Sequence, residues 1–177
     1  MTVVEFPAGI DVAGKNALWA VPAIANVGAP TLAELNAGFP IQCALYEWVP
    51  KGEQPTVSED RYCLAEQIES LGKTKFTVDP IKYVYDPQNV DEVDGEYAHY
   101  AKLAPGSKVY LVDRRGIPHE TDFAADQVVD LYPVTLGIRN RTPIDSGTKD
   151  TAQKYTVEQS VAVSGPPRFD VKIVAGA

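Results

Sequence analysis

The sequence predicts a mainly β domain of α+β class, and three observations carry that prediction. Between Gln127 and Val174 three β-rich runs follow one another, separated by turn residues. Two of them alternate cleanly: Tyr155, Val157, Gln159, Val161 and Val163 share one face, while Thr156, Glu158, Ser160 and Ala162 share the other. Further on, Phe169, Val171 and Ile173 oppose Arg168, Asp170 and Lys172. Period-two alternation marks antiparallel sheet with one buried and one wet face. Helical signals are confined to two stretches, against roughly seven to nine strand signals.

Taken in order, Met1 to Asn16 reads as an extended arm punctuated by Gly and Pro, ahead of a core spanning 17–174. Asn16 to Ile24 is a first strand, which Pro22 ends or confines to an edge. Thr31 and Glu34 have capping-box spacing, and Gly38 stops a short helix of one or two turns. Pro40 to Tyr46 reads as a strand, and Glu47 to Glu59 as a long polar loop carrying Pro50, Gly52 and Pro55. Loops of that kind in a compact domain are functional or disordered. Arg61 to Ser70 is taken as strand. Lys75 to Tyr85 is another, its register broken at Asp79-Pro80.

The strongest helix signal runs over about 89–104. Asn89 can cap it, Asp91, Glu92 and Asp94 suit its positive end, and Val93, Tyr97, Tyr100 and Ala104 form a stripe. Gly95 inside it costs about 1 kcal/mol relative to alanine, so packing of the stripe must carry the helix. Pro105-Gly106 ends it, Lys108 to Val112 is a strand, and Asp113-Arg114-Arg115-Gly116 reads as a turn. A polar loop is expected over Arg139 to Lys154. The 177 residues suit one domain with a real core.

The charge balance narrows the functions. With 16 Lys and Arg against 24 Asp and Glu, the formal net charge is -8. That excludes a protein gripping DNA or an anionic membrane through a basic face, yet it suits a surface past which DNA slides. No apolar run approaches membrane-spanning length, and the opening residues lack the pattern of a secretion signal. Cys43 and Cys63 match no metal motif and are expected as reduced core thiols.

Catalytic groupings are unsupported, and no enzyme activity, metal or cofactor is expected. Gly9 to Asn16 approximates a phosphate-binding loop, but Asn16 stands where a magnesium-binding hydroxyl is required, and Pro22 would cripple the following helix. His99 lies off the helical stripe and reads as solvated. His119, Glu120 and Asp122 match no ligand spacing and read as a polar hairpin end. Asn140-Arg141-Thr142 is a chance match to a glycosylation acceptor. Arg114 and Arg115 read as a solvated loop end, whereas Trp48, beside Pro50 at the head of the long loop, is a contact candidate.

An ordered set of short motifs resembles the major tail tube proteins of long-tailed bacteriophages, in particular those infecting actinobacteria. The set comprises Thr31 to Gly38, Glu59 to Cys63, Tyr83 to Gln88, Asp126 to Gly137 and Ser164 to Pro167, covering nearly the whole chain. The resemblance implies one tail-tube domain, an antiparallel β-sandwich or partly closed barrel with one flanking α-helix. It implies hexameric rings stacked into a tube, with tape measure, terminator and initiator proteins as partners, and transient non-specific passage of DNA. The location would be the virion tail, assembled in the host bacterial cytoplasm.

On that reading the wet face gains candidate lumen residues, Thr156, Glu158 and Ser160. Candidate inter-ring or inter-subunit contacts are Phe6, Trp48, Lys51, Glu53, Arg139 and Arg141. Two other readings stay open: a single-ring head–tail connector or tail terminator, and a jelly-roll module binding glycan through Trp48 and the acidic loops.

Overall fold

The computed structural model describes residues 9–63, 65–142 and 154–176. Strand β1 is Asn16–Val21, helix α1 Leu32–Asn36, β2 Phe39–Pro40 and β3 Leu45–Glu47. Four short strands follow, β4 Pro50–Glu53, β5 Thr56–Glu59, β6 Ile68–Leu71 and β7 Lys75–Val78. The remainder are β8 Ile81–Val84, α2 Ala98–Lys102, β9 Lys108–Arg115, β10 Val128–Thr142, β11 Thr156–Val163 and β12 Arg168–Lys172. Each helix has only five residues, so the fold is β-rich as predicted.

The strand order is β2-β1-β9-β10-β11-β8-β3, with β12 also on β10, while β4–β7 and β5–β6 form two small separate sheets. The chain forms two compact units. The first is built from the described parts of Met1–Ala44, Lys108–Pro133 and Pro167–Ala177; the second from those of Leu45–Ser107 and Val134–Pro166.

In the first unit, Val21, Ile24, Leu35, Val112, Phe123, Val129, Leu131 and Ile173 form a buried cluster against which Trp19, Val27, Leu32 and Tyr110 pack. Burying each such side chain contributes about 1.5–3 kcal/mol, so this cluster dominates the unit's stability. Helix α1 forms where its capping box predicts: the Glu34 amide donates to Thr31 Oγ1 at 3.2 Å, and Glu34 Oε2 accepts from the Thr31 amide at 2.8 Å. Gly38 is needed beyond the helix, since a Cβ there would meet Val21 Cγ2 at 2.7 Å and the Ala20 carbonyl at 2.8 Å. The last residues dock beside α1, the Leu32 amide donating to the Val174 carbonyl and the Val174 amide to Pro30.

Strand β9 runs through Arg115, three residues past the expected strand end. Ala17 pairs with Arg114 and Asn16 with Arg115, so the expected turn at Asp113–Gly116 is strand up to its last residue. Arg114 is the reason. It is 1% exposed, and its guanidinium donates to the carbonyls of Pro118, Thr121 and Asp122 and to Gln127 Oε1, which compensates its burial. Desolvation still pushes its pKa below the usual arginine value.

Pro133 lies in β10, an interior strand. It falls between Leu131, the last β10 residue paired to β12, and Val134, the first paired to β11, where the strand changes partner. Strand β12 has a bulge at Asp170, whose φ is 54° and whose amide donates to Asp130 Oδ1 at 3.0 Å. A bulge with charged neighbours is a device that protects an exposed strand from stray pairing.

The second unit is organised by β8, β11 and the later half of β10. Val157 and Gln159 pair with Tyr83 and Ile81, and all four are buried beside Leu136, Tyr100 and Leu103. The expected break at Asp79-Pro80 separates β7 from β8. Gln159, 0% exposed, accepts from Tyr83 Oη at 2.9 Å and donates to the carbonyls of Leu103 at 3.0 Å and Gly137 at 3.1 Å. A polar side chain on the apolar face is thus fully used, and it ties the end of α2 to the sheet.

Four expectations for this unit are corrected. The helix expected over 89–104 is reduced to Ala98–Lys102. Asn89 is engaged by Asp86 Oδ2 and does not cap it, Glu92 Oε2 accepts from the Tyr97 amide, and Gly95 has φ 151°, outside helical space. Val93 of the expected stripe is consequently 60% exposed. His99 is buried, its Nε2 on the Val84 carbonyl and its ring edge-on to Tyr83. Finally, the polar loop over 47–59 contains β4 and β5, and of the strand expected over 61–70 only residues from Ile68 onward are strand.

Candidate assembly surfaces

The first surface is the wet face of the second unit's sheet. Registers align Lys82, Glu158 and Asn140 in one row across β8, β11 and β10. Glu158, Ser160 and Ala162 are exposed on one side of β11, while Val157 and Gln159 are buried on the other. Alternation therefore sorts the strand from Val157 onward as the sequence predicts, and its start departs: Tyr155, expected on the face of Val157 and Gln159, is 60% exposed. Thr156 is 1% exposed, so it offers no surface. Near Ser160 the β10 register shifts between Leu136 and Arg139, and Ile138 stands out at 70% exposure. Gly137 makes room there, because a Cβ would meet Ser160 Oγ at 2.1 Å. In charge this row is balanced, Glu158 lying between a lysine and an amide.

The second surface was not legible in the sequence. Strands β5 and β6 form a two-stranded ribbon in which every residue is exposed. Val57 is 51%, Ile68 47% and Leu71 72% exposed, and Tyr62 beyond β5 is fully so. At its base the Gly72 amide donates to the Pro55 carbonyl at 2.7 Å, and Gln54 Nε2 donates to the Gly72 carbonyl at 3.0 Å. An isolated two-stranded ribbon is at best marginally stable in water, and grouped exposed apolar residues mark contact sites.

A family model described as phage tail tube protein matches residues 5–176. The chain belongs to the phage tail tube protein family. A comparison with curated proteins found no match. Membership makes the chain a structural component of a phage tail, built to assemble with copies of itself. No helix among the described residues is long and apolar enough to cross a membrane.

For a tail tube subunit the expected contact residues divide sharply. Lys51 and Glu53 are exposed on β4, and Lys51 Nζ lies 2.6 Å from Asp79 Oδ2, a bond that raises the lysine pKa. Trp48 is half-buried between β3 and β4. Arg139 and Arg141, expected in a loop, belong to strand β10. Arg139 faces inward: its guanidinium covers the Tyr100 ring at 4.1 Å and donates to the carbonyls of Tyr100 and Leu103, the latter at 2.7 Å. It thereby caps the negative end of α2, a role with its own physical logic. Arg141 remains exposed and donates to Tyr100 Oη at 3.2 Å. Phe6 and most of the loop expected before Lys154 lie outside the described residues.

The groupings considered for chemistry are also placed. Gly9 to Asn16 leads through a turn into strand β1, so no helix N-terminus stands behind it. His119 Nδ1 lies 3.1 Å from the Gly14 carbonyl and its Nε2 4.0 Å from Glu120. Among the described residues no three His, Cys, Asp or Glu side chains gather as a metal site. Cys43 and Cys63, expected in the core, are both free and exposed.

Proposed function

We propose that six copies of this subunit close into a ring, that rings stack into the tail tube, and that the wet face around Glu158 and Ser160 lines the channel for DNA. One observation carries the choice of face. Small polar residues are exposed along β11 directly opposite a buried, helix-covered side, leaving a surface without an occupant inside the subunit. The row Lys82–Glu158–Asn140 has no basic excess, so DNA could pass without the counterion release that produces sticking. Net charge of -8 per copy acts in the same sense over longer range.

In this reading the whole chain works as one tail-tube domain that assembles in the host cytoplasm. Trp48, Lys51, Glu53, Arg141 and the β5–β6 ribbon contact neighbouring copies. The tape measure protein fills the lumen, initiator and terminator proteins begin and end the tube, and no catalysis is involved. Negative-stain images of the purified protein test the assembly: long hollow tubes are expected, whereas isolated rings would favour a connector or terminator. Glu158→Lys tests the face. Tubes carrying it should form normally but eject DNA poorly, and unchanged infectivity would remove β11 from the channel wall.

A further inference from the structure

The covered face of the second unit's sheet outruns its cover. Gln159 donates to the Leu103 carbonyl at the end of α2, and Tyr83 meets the Tyr100 ring at 6.5 Å, but α2 has only five residues. Tyr155, at the end of the same face, is 60% exposed, and Arg141 beside it is exposed as well. Both side chains are nonetheless braced. Arg141 Nη2 donates to Tyr100 Oη at 3.2 Å. The Tyr155 ring stands edge-on to Tyr85 at 6.4 Å, and Tyr85 stacks on Tyr100 at 5.0 Å. An exposed tyrosine and arginine, held in place before a partner arrives, have the composition and the low ordering cost of an interface hot spot.

A complementary surface lies in the same unit. In the β5–β6 ribbon Glu69 pairs with Ser58 and Leu71 with Thr56, so Glu69 and Leu71 share one face. Leu71 is 72% exposed. Glu69 is exposed and, among the described residues, enters no ion pair, whereas Glu59 on the other face lies 3.2 Å from Arg61. The spacings agree. Two residues apart on a strand, Glu69 and Leu71 stand about 7 Å from each other. Arg141 pairs with Val157, which makes Tyr155 its diagonal neighbour at about 7–8 Å. Laid together, carboxylate meets guanidinium and leucine meets the tyrosine ring.

We propose that the Arg141–Tyr155 pair is the receptor for the Glu69–Leu71 face of the β5–β6 ribbon of a neighbouring copy of this chain. The inference rests on the tube reading, which supplies the second copy. Charge also sets the sense of the contact. Two ribbons face to face would oppose carboxylate to carboxylate, and two receptors would oppose arginine to arginine, so a symmetric pair is disfavoured. Ribbon on receptor is a head-to-tail contact, which passes from copy to copy and leaves each end of a growing assembly with one unmatched half.

Charge exchange tests it. Glu69→Arg and Arg141→Glu, each alone, should slow tube elongation, followed by light scattering, roughly tenfold or more, because like charges then meet at every contact. The double variant carrying both changes restores an opposite pair and should recover most of the wild-type rate. Glu69 lies on a wholly exposed ribbon, so its variant should keep the wild-type thermal midpoint. Arg141→Glu gives up the hydrogen bond to Tyr100, and if it unfolds, Tyr155→Glu, a change at an exposed ring, takes its place as the partner of Glu69→Arg. Wild-type elongation by either single variant overturns the pairing, as does a double variant no faster than the singles. A wild-type protein that forms no tubes refutes the tube reading instead, and with it the identity of the partner.

Discussion

Replacing Gln159 by leucine preserves side-chain bulk and deletes three hydrogen bonds at the centre of the second unit. The Leu103 carbonyl keeps Arg139 Nη2 at 2.7 Å, so it remains satisfied. Tyr83 loses the acceptor for its hydroxyl, and Gly137 loses the donor at 3.1 Å from its carbonyl. Each orphaned buried group costs about 1–3 kcal/mol, giving an expected loss of about 2–6 kcal/mol. Set against a total of about 5–15 kcal/mol for a domain, that is a severe effect. Urea unfolding followed by circular dichroism reads it: the midpoint should fall by roughly 1–2 M with an unchanged slope. Adding Tyr83→Phe removes one of the two orphaned groups and should restore about 1 kcal/mol. A loss under about 0.5 kcal/mol for Gln159→Leu alone would refute the account, since ordinary surface changes reach that size.

Three further outcomes are expected. Thr31→Ala should cost about 1 kcal/mol through loss of the α1 cap, measured by the same unfolding curves. Hydrogen bonds from the Thr31 and Ala25 amides lower the Glu34 pKa, so its contribution is full above the ordinary glutamate value and fades as pH falls through the lowered one. Burial pushes Tyr83 and Tyr132 up to about 12. Their neutral forms stabilise the fold fully below the unfolded value of about 10, and this support should vanish between there and about 12. Loss of circular dichroism should accompany the last rise in tyrosinate absorbance, towards about pH 12, and a fold that keeps its circular dichroism through that rise would contradict it. Both thiols should react with a water-soluble thiol reagent without denaturant, and replacing either by serine should shift stability by less than about 0.5 kcal/mol. A thiol that reacts only after unfolding would contradict the exposure of Cys43 or Cys63.

What the sequence made legible follows from which physical signals are local. Alternation located β11 because one of its faces is buried and the other wet, and the Thr31–Glu34 spacing located α1 because a capping box is complete within four residues. The β5–β6 ribbon has two wet faces, so nothing in it alternates: β5 reads as loop, and the strand expected over 61–70 meets β6 only from Ile68 onward. The segment before α2 has good helical composition, but Asp86 takes Asn89 and Gly95 takes a backbone angle that no helix allows. Arg114 and Arg139 were read as solvated or contact residues because charge predicts exposure. Only the tertiary carbonyls around them compensate the burial of Arg114 and the inward turn of the half-buried Arg139. Of the candidate site, Glu158 and Ser160 are where alternation placed them, whereas Thr156 is hidden.

The β5–β6 ribbon leaves folding and recognition under separate selection. None of its strand residues is buried in the subunit, so Val57, Ile68 and Leu71 can change without a cavity or strain appearing in either core. Two lineages carrying different ribbons would each keep a stable subunit and, if the ribbon contacts neighbouring copies as proposed, lose the ability to co-assemble. Compatibility between copies can thus drift quickly in this ribbon while the cores of both units stay fixed.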